Sequence, residues 1–231
     1  MSELGALMGF GSFTERTVKT AQTLLEQKYG LRFAADTIGD RYNTGTATIY
    51  FHPEQDQTLH FKVIYDAQEK AITDNYCFTK VLRGLKALLR TACSKAGFAV
   101  CSEVTVFGAH SPLTDPETDF AAYLKAAQPD KLIFLFAVNA DGIQSEQDAQ
   151  RLTDVLTAFQ QQTAPSSKLV FSAHMIPAER FEACRSEFEN GVMQSVTRIG
   201  FYQPVCSFGI NVENGVCSLS AAELYAGCKG A

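Results

Sequence analysis

The first third of the chain shows one helical repeat of apolar residues and then three stretches in which apolar and polar residues alternate. Residues 14–29 carry apolar side chains three and four positions apart and end at Gly30, which predicts an amphipathic helix. The alternating stretches predict short strands, at residues 31–37, 44–51 and 59–65. Short polar turns between strands favour antiparallel neighbours, so we predict a helix on a three-stranded meander, closed by a helix at 77–96.

The rest of the chain changes to an order of strand, helix, strand, helix, strand. The predicted strands are residues 99–107, 131–138 and 168–176. Such an order predicts parallel strands joined by right-handed crossovers. The fold class is therefore α+β: a helix on an antiparallel three-stranded meander, followed by a β-α-β-α-β portion with parallel strands.

Three segments follow from these patterns. They are a flexible N-terminal arm at 1–13, a helix-meander-helix unit at 14–97, and an α/β-type unit at 98–231. Whether the two units pack as one compact body stays open. Two helix starts are predicted in the second unit: Asp115 before Pro116 as a cap, and Ser145 with Asp148 as a capping box.

Composition restricts the classes of partner. The 231 residues carry a net charge of −5, whereas a protein that binds nucleic acid needs a clustered basic face, so no nucleic acid is predicted. No apolar run is long enough for a membrane span.

Seven cysteines without regular spacing indicate reduced thiols and a cytoplasmic location, with export and a missing signal as the alternative. A disulfide between Cys206 and Cys217, which flank a predicted hairpin, is a less favoured alternative.

Candidate chemistry gathers at the carboxyl ends of the three predicted parallel strands, where ligands bind in open α/β sheets. The candidate pocket residues are His110 and Asp115 after the first strand, Asn139 and Asp141 after the second, and His174 near the end of the third. Together they offer groups for metal binding or general acid/base catalysis. Structural explanations compete, because Asp115 suits a helix cap, Asp141 begins a turn, and a histidine late in a strand is often packed.

His52 and His60 bracket the loop between the second and third predicted strands, with Glu54 and Asp56 between them. Imidazole and carboxylate groups are usual metal ligands, so these residues form a possible surface metal site. Their spacing matches no known motif, and a solvated hairpin loop is the favoured interpretation. The sequence analysis therefore assigns no metal ligand and no cofactor.

Residues 21–76 contain Leu24, Leu25, Lys28-Tyr29-Gly30, Phe33, the Gly39 turn, Phe61, Val63 and Asp74-Asn75-Tyr76. This segment, about a quarter of the chain, resembles the helix-plus-three-strand units of uncharacterised proteins of Gram-positive bacteria, which are similar to PepSY-like or cystatin-like modules. The resemblance implies a binding or accessory role and supplies no catalytic residue.

The leading hypothesis is therefore a non-enzymatic binding or accessory protein with a protein partner or small ligand. The alternative is a metal-dependent or general acid/base hydrolase that uses the carboxyl edge of the strands at 99–107, 131–138 and 168–176. A homodimer formed through an unprotected sheet edge is a third hypothesis.

Overall fold

The computed structural model describes residues 12–39, 45–108, 113, 115–191, 193 and 195–229. The chain divides into two compact units, Met1–Lys80 and Val81–Ala231. This division falls inside a helix, and the predicted domain boundaries stay predictions. Most of the predicted arm, residues 1–11, lies outside the described residues, and the first helix already begins at Ser12.

The first unit is built on a four-stranded antiparallel sheet in the order β1-β2-β3-β4. Its elements are α1 (Ser12–Tyr29), β1 (Phe33–Ile38), β2 (Thr46–Pro53), β3 (Phe61–Asp66), β4 (Ala71–Asp74) and the start of α2 (Tyr76–Lys95). The predicted helix and meander are confirmed. The sequence analysis missed β4, because four residues of alternating half-burial are too few to give a clear period-two pattern.

Helix α1 covers one face of this sheet. Val18, Ala21 and Leu25 lie on one helical stripe and are buried, as are Phe33 and Phe61 on the facing strands. The rings of Phe33 and Phe61 pack edge to face with their centroids 5.5 Å apart. Because successive side chains of a strand point to opposite faces, the neighbours of these buried residues lie on the face away from α1.

The second unit holds a five-stranded sheet in the order β5-β6-β7-β8-β9. Its elements after α2 are β5 (Val100–Phe107), α3 (Phe120–Ala127), β6 (Lys131–Asn139), α4 (Glu146–Thr163), β7 (Lys168–Ile176), α5 (Ala178–Glu189), α6 (Val196–Ile199), β8 (Cys206–Glu213), β9 (Val216–Cys217) and α7 (Ala221–Lys229). None of the helices within the described residues has both the length and the apolar character that a bilayer span requires.

The α+β class is confirmed, with one correction to the strand directions. β6 and β7 are parallel as predicted, but β5 pairs with β6 in the antiparallel sense, with Phe107 opposite Lys131. Gly108 permits this return: its φ is +112°, and a Cβ there would lie 2.5 Å from the backbone nitrogen of Asp130. A side chain at position 108 would therefore block the approach of the two strand ends.

Two local predictions in the second unit have different outcomes. Ser145 caps α4 by accepting a hydrogen bond from the backbone N–H of Asp148, as expected. The predicted cap at Asp115 is wrong: Asp119 caps α3 and accepts from the N–H of Ala122. Asp115 instead accepts from the N–H of Glu117 and forms a local turn before the helix.

The β8–β9 hairpin rules out the alternative disulfide. The turn contains Asn214 and Gly215, both at positive φ, as expected for a tight hairpin. In the resulting register Cys217 lies opposite Val212. Cys206 lies at the start of β8, six residues before Val212. At about 3.3 Å per residue, that separation is too large for a Cys206–Cys217 bond. All seven cysteines are free thiols.

Candidate functional site

The face of the first sheet that points away from α1 carries two histidines side by side. Phe51 and Phe61 are opposite one another in the register of β2 and β3, and both are buried. His52 follows Phe51 and His60 precedes Phe61, so both histidines point to the other face of the sheet. Their ring centroids are 5.7 Å apart, and the rings meet at 76°.

A β-bulge in β1 places a carboxylate beside these histidines. Ala34 pairs with His52 and Ala35 with Phe51, but the next pair is Thr37 with Tyr50, so Asp36 is an extra residue in β1. A bulge bends the strand and redirects the side chain of the inserted residue. Here it turns Asp36 towards the histidines of β2 and the β2–β3 loop.

The carboxylate of Asp36 lies between the two imidazole rings. Its Oδ1 is 2.5 Å from Nδ1 of His52, and its Oδ2 is 2.7 Å from Nδ1 of His60. A carboxylate only accepts hydrogen bonds, so the matching tautomer of each ring is the one with its proton on Nδ1. The exposed side-chain fractions are 15% for His52, 23% for Asp36 and 47% for His60. The cluster is thus reachable from solvent on the His60 side.

The loop between β2 and β3 is fixed by its own hydrogen bonds. The N–H of Glu54 donates to the carbonyl of Arg32 over 3.1 Å, which prolongs the pairing of β1 and β2. The carboxylate of Asp56 accepts from the hydroxyl and the N–H of Thr58, and Leu59 is buried. These contacts order the loop that leads to His60, which directly precedes β3.

The donor atoms of Asp36, His52 and His60 suit a metal ion. One ligand atom from each residue lies within 4.8 Å of the other two. Around a tetrahedral Zn²⁺ with bonds of about 2.0–2.1 Å, ligand atoms stand about 3.3 Å apart. The two hydrogen-bonded N···O pairs, at 2.5 and 2.7 Å, therefore need to open by about 0.6–0.8 Å, and ligand atoms as far apart as 4.8 Å need to close by up to about 1.5 Å. The ion would replace the hydrogen-bonded protons.

The antiparallel direction of β5 changes one premise of the pocket predicted at the carboxyl ends of the strands, and the pocket itself stays a prediction. Because β5 is antiparallel to β6, the end of β5 lies beside the start of β6, with Phe107 opposite Lys131. Asn139, at the end of β6, is at the opposite end of that strand from Lys131. The carboxyl end of β5, after which Asp115 follows, is therefore at the opposite end of the sheet from Asn139. His110 lies outside the described residues.

The remaining pocket candidates make local structural contacts. The side chain of Asn139 accepts from the N–H of Asp141 and caps the short 3₁₀ turn at Ala140–Gly142. The carbonyl of Asp141 accepts from the side-chain amide of Gln144 over 3.2 Å. These hydrogen bonds shape the connection from β6 to α4.

His174 is buried in the sheet of the second unit. Its Nε2 lies 3.0 Å from the hydroxyl of Ser172, and its Nδ1 lies 2.8 Å from the hydroxyl of Ser207 on β8. Burial removes water from the imidazolium form and so lowers the pKa of His174. A neutral ring that exchanges hydrogen bonds with two serines connects β7 to β8 and fits a structural role.

Sequence reasoning found two of the three residues of the cluster and missed Asp36. A signal was present, because aspartate is disfavoured in strands and Asp36 interrupts the strand predicted at 31–37. In simple alternation Phe33 and Ala35 face the core, which puts Asp36 on the outer face. The bulge that brings Asp36 within hydrogen-bond distance of the histidines has no marker in the sequence.

No protein-family model matches the chain, and no curated protein matches it. Among solved structures, the chain is similar to the crystal structure of a DUF5037 family protein from Ruminococcus gnavus ATCC 29149, determined at 2.55 Å resolution. The TM-score is 0.63 at 12% sequence identity, over 94% of this chain and 100% of the other. At this identity the likeness shows a shared fold. It does not bear on the PepSY-like or cystatin-like resemblance, which stays a prediction.

Proposed function

We propose that the protein is a non-enzymatic binding protein that takes up a divalent transition-metal ion, Zn²⁺ in the first instance, through Asp36, His52 and His60. The convergence of one carboxylate and two imidazole rings on one sheet face carries this proposal. Three protein ligands leave a fourth position on Zn²⁺ for water or for a group from a binding partner.

The chemistry of the donors favours transition metals over Mg²⁺ and Ca²⁺. Imidazole nitrogens suit Zn²⁺, Cu²⁺, Fe²⁺ and Ni²⁺, whereas Mg²⁺ and Ca²⁺ prefer six or more oxygen ligands. Two of the three side chains in the cluster are histidines, and Asp36 supplies its carboxylate oxygens. The partly exposed ring of His60 gives an ion a route from solvent.

A binding role is supported better than the hydrolase alternative. That alternative depends on acid and base groups gathered at the carboxyl ends of β5, β6 and β7. The carboxyl end of β5 lies at the opposite end of the sheet from the carboxyl ends of β6 and β7, and His174 is hydrogen-bonded to two serines. The protein partner and the homodimer stay hypotheses; an open metal position is one way in which such a partner would attach.

Thermal unfolding with different metal ions tests the proposal. We expect Zn²⁺ to raise the Tm of the first unit by several degrees, because an ion that binds only the folded state at 100 times its Kd stabilises it by about 2.7 kcal/mol. Equal concentrations of Mg²⁺ or Ca²⁺ should leave the Tm unchanged. The experiment uses a variant with Cys206→Ser and Cys228→Ser, so that this pair of adjacent, half-buried thiols does not contribute ligands.

Addition of a chelator should return the Tm to its starting value, which separates binding from metal-induced aggregation. A Tm that does not respond to Zn²⁺, or that responds equally to Mg²⁺, would contradict a site made of two imidazoles and a carboxylate.

A further inference from the structure

The second unit contains a pair of thiols in direct contact. Cys206 begins β8, Cys228 lies in the last turn of α7, and their Sγ atoms are 3.1 Å apart. Both side chains are half-buried, so solvent reaches this thiol pair. A disulfide bond is about 2.05 Å long, so the two sulfurs need to approach by about 1 Å to form one.

The packing of α7 on β8 explains why these thiols meet. A Cβ at Gly227 would lie 2.5 Å from Cζ of Phe208, so the absence of a side chain lets the helix approach the aromatic ring closely. Phe208 lies two residues after Cys206 and thus on the same face of β8, and Gly227 directly precedes Cys228. Close packing at Gly227 therefore brings Cys228 to Cys206.

We propose that Cys206 and Cys228 are a modification site that a low-molecular-weight disulfide such as glutathione disulfide converts reversibly into an intramolecular disulfide. This site is separate from the metal ligands and does not depend on the proposed function.

The reaction proceeds by two thiol–disulfide exchanges. The Cys228 thiolate attacks one sulfur of glutathione disulfide, which forms a mixed disulfide and releases one glutathione. The Cys206 thiolate then attacks the Cys228 sulfur, which forms the protein disulfide and releases the second glutathione. The two protein thiols lose two electrons and two protons, and the oxidant is reduced to two thiols.

The environment assigns the first attack to Cys228. The hydrogen bond with Cys206 and the nearby Lys229 ammonium lower the pKa of the Cys228 thiol, despite partial burial. The hydrogen bond with Cys228 and partial burial raise the pKa of the Cys206 thiol. The more acidic thiol supplies more thiolate, the reactive form.

The other described thiols provide contrasts. Cys101 and Cys184 also share a hydrogen bond, but both are buried in the cluster with Phe181, Phe188 and Ile199, where an oxidant has no access. Cys217 is half-buried but stands opposite Val212, away from Cys206 along β8. Cys217 is therefore a matched control for a half-buried cysteine without a thiol partner.

Peptide mapping by mass spectrometry after incubation of the full chain with glutathione disulfide tests the proposal. In the native chain we expect a Cys206–Cys228 cross-link, a loss of two hydrogen masses, and full recovery of both thiols with excess reduced glutathione. Cys217→Ser should form the same cross-link.

Cys206→Ser should stop at a stable glutathione adduct on Cys228, because no second thiol is present to displace it. That adduct also shows that Cys228 stays reactive in this variant. Stable glutathione adducts on the native chain without a cross-link, or a cross-link that involves Cys217, would overturn the proposal.

Discussion

Replacing His52 with alanine should weaken Zn²⁺ binding by at least about 100-fold. Loss of a hydrogen-bond partner behind a metal ligand typically costs about 10–100-fold in metal affinity, so loss of the ligand itself should reach the upper end of that range or exceed it. His52 is the least exposed member of the cluster and contacts Asp36 directly. Isothermal titration calorimetry of the variant and the parent chain measures the difference, with both carrying Cys206→Ser and Cys228→Ser.

Two further variants, measured by the same calorimetry, test whether the carboxylate of Asp36 binds the ion or whether any negative charge nearby would do. Asp36→Asn and Glu54→Gln each remove one negative charge, and both residues belong to the first unit, but Glu54 is exposed and lies outside the metal-ligand set. We expect Asp36→Asn to weaken Zn²⁺ binding strongly and Glu54→Gln to leave the Kd within about twofold, because exposed charges are screened by salt. Equal losses in the two variants would show that general surface charge, and not the cluster, attracts the ion.

Replacing Phe171 with alanine should destabilise the second unit by about 3–5 kcal/mol. Phe171 lies in the middle of the sheet on β7 and is 0% exposed. Its ring stacks on Phe134 with centroids 4.9 Å apart and meets Phe136 edge to face at 5.4 Å. Truncation removes these ring contacts and leaves a cavity between β6 and β7, which close-packed neighbours fill only in part.

Native-state hydrogen exchange on peptides from β6 and β7 measures this loss within the second unit. Phe201→Ala is the control: it removes the same side chain from a position that is 74% exposed, and we expect a change below about 0.5 kcal/mol. If Phe171→Ala and Phe201→Ala lowered the protection of backbone amides from exchange equally, Phe171 would not be part of the core of the second unit.

The patterns of apolar residues predicted most of the elements, because burial on one face leaves a direct trace in the sequence. The helix ending at Tyr29 and the strands of the meander are examples, as is the capping box at Ser145. The direction of β5 was not predictable in this way, because the apolar pattern of a strand does not depend on the direction in which the strand runs. In its described part, the connection from β5 to β6 contains the eight-residue helix α3, and the return of the chain depends on a close approach of Gly108 to Asp130.

The candidate site was predictable only in part for a similar reason. His52 and His60 flank one hairpin loop, so sequence proximity already suggested that they meet. Asp36 comes from a different strand, and its position depends on a bulge that shifts the register between Ala35 and Thr37. The predicted pocket depended in the same way on a feature that the sequence does not mark, because it assumed that all three strands run in parallel.

X-ray absorption spectroscopy at the zinc edge on the Zn²⁺-loaded native chain tests the central claim most directly, because it identifies the ligand atoms. A site at Asp36, His52 and His60 predicts nitrogen and oxygen neighbours at about 2.0–2.2 Å, with the outer scattering of two imidazole rings. A sulfur shell at about 2.3 Å would show that cysteines hold the ion and would contradict the assignment.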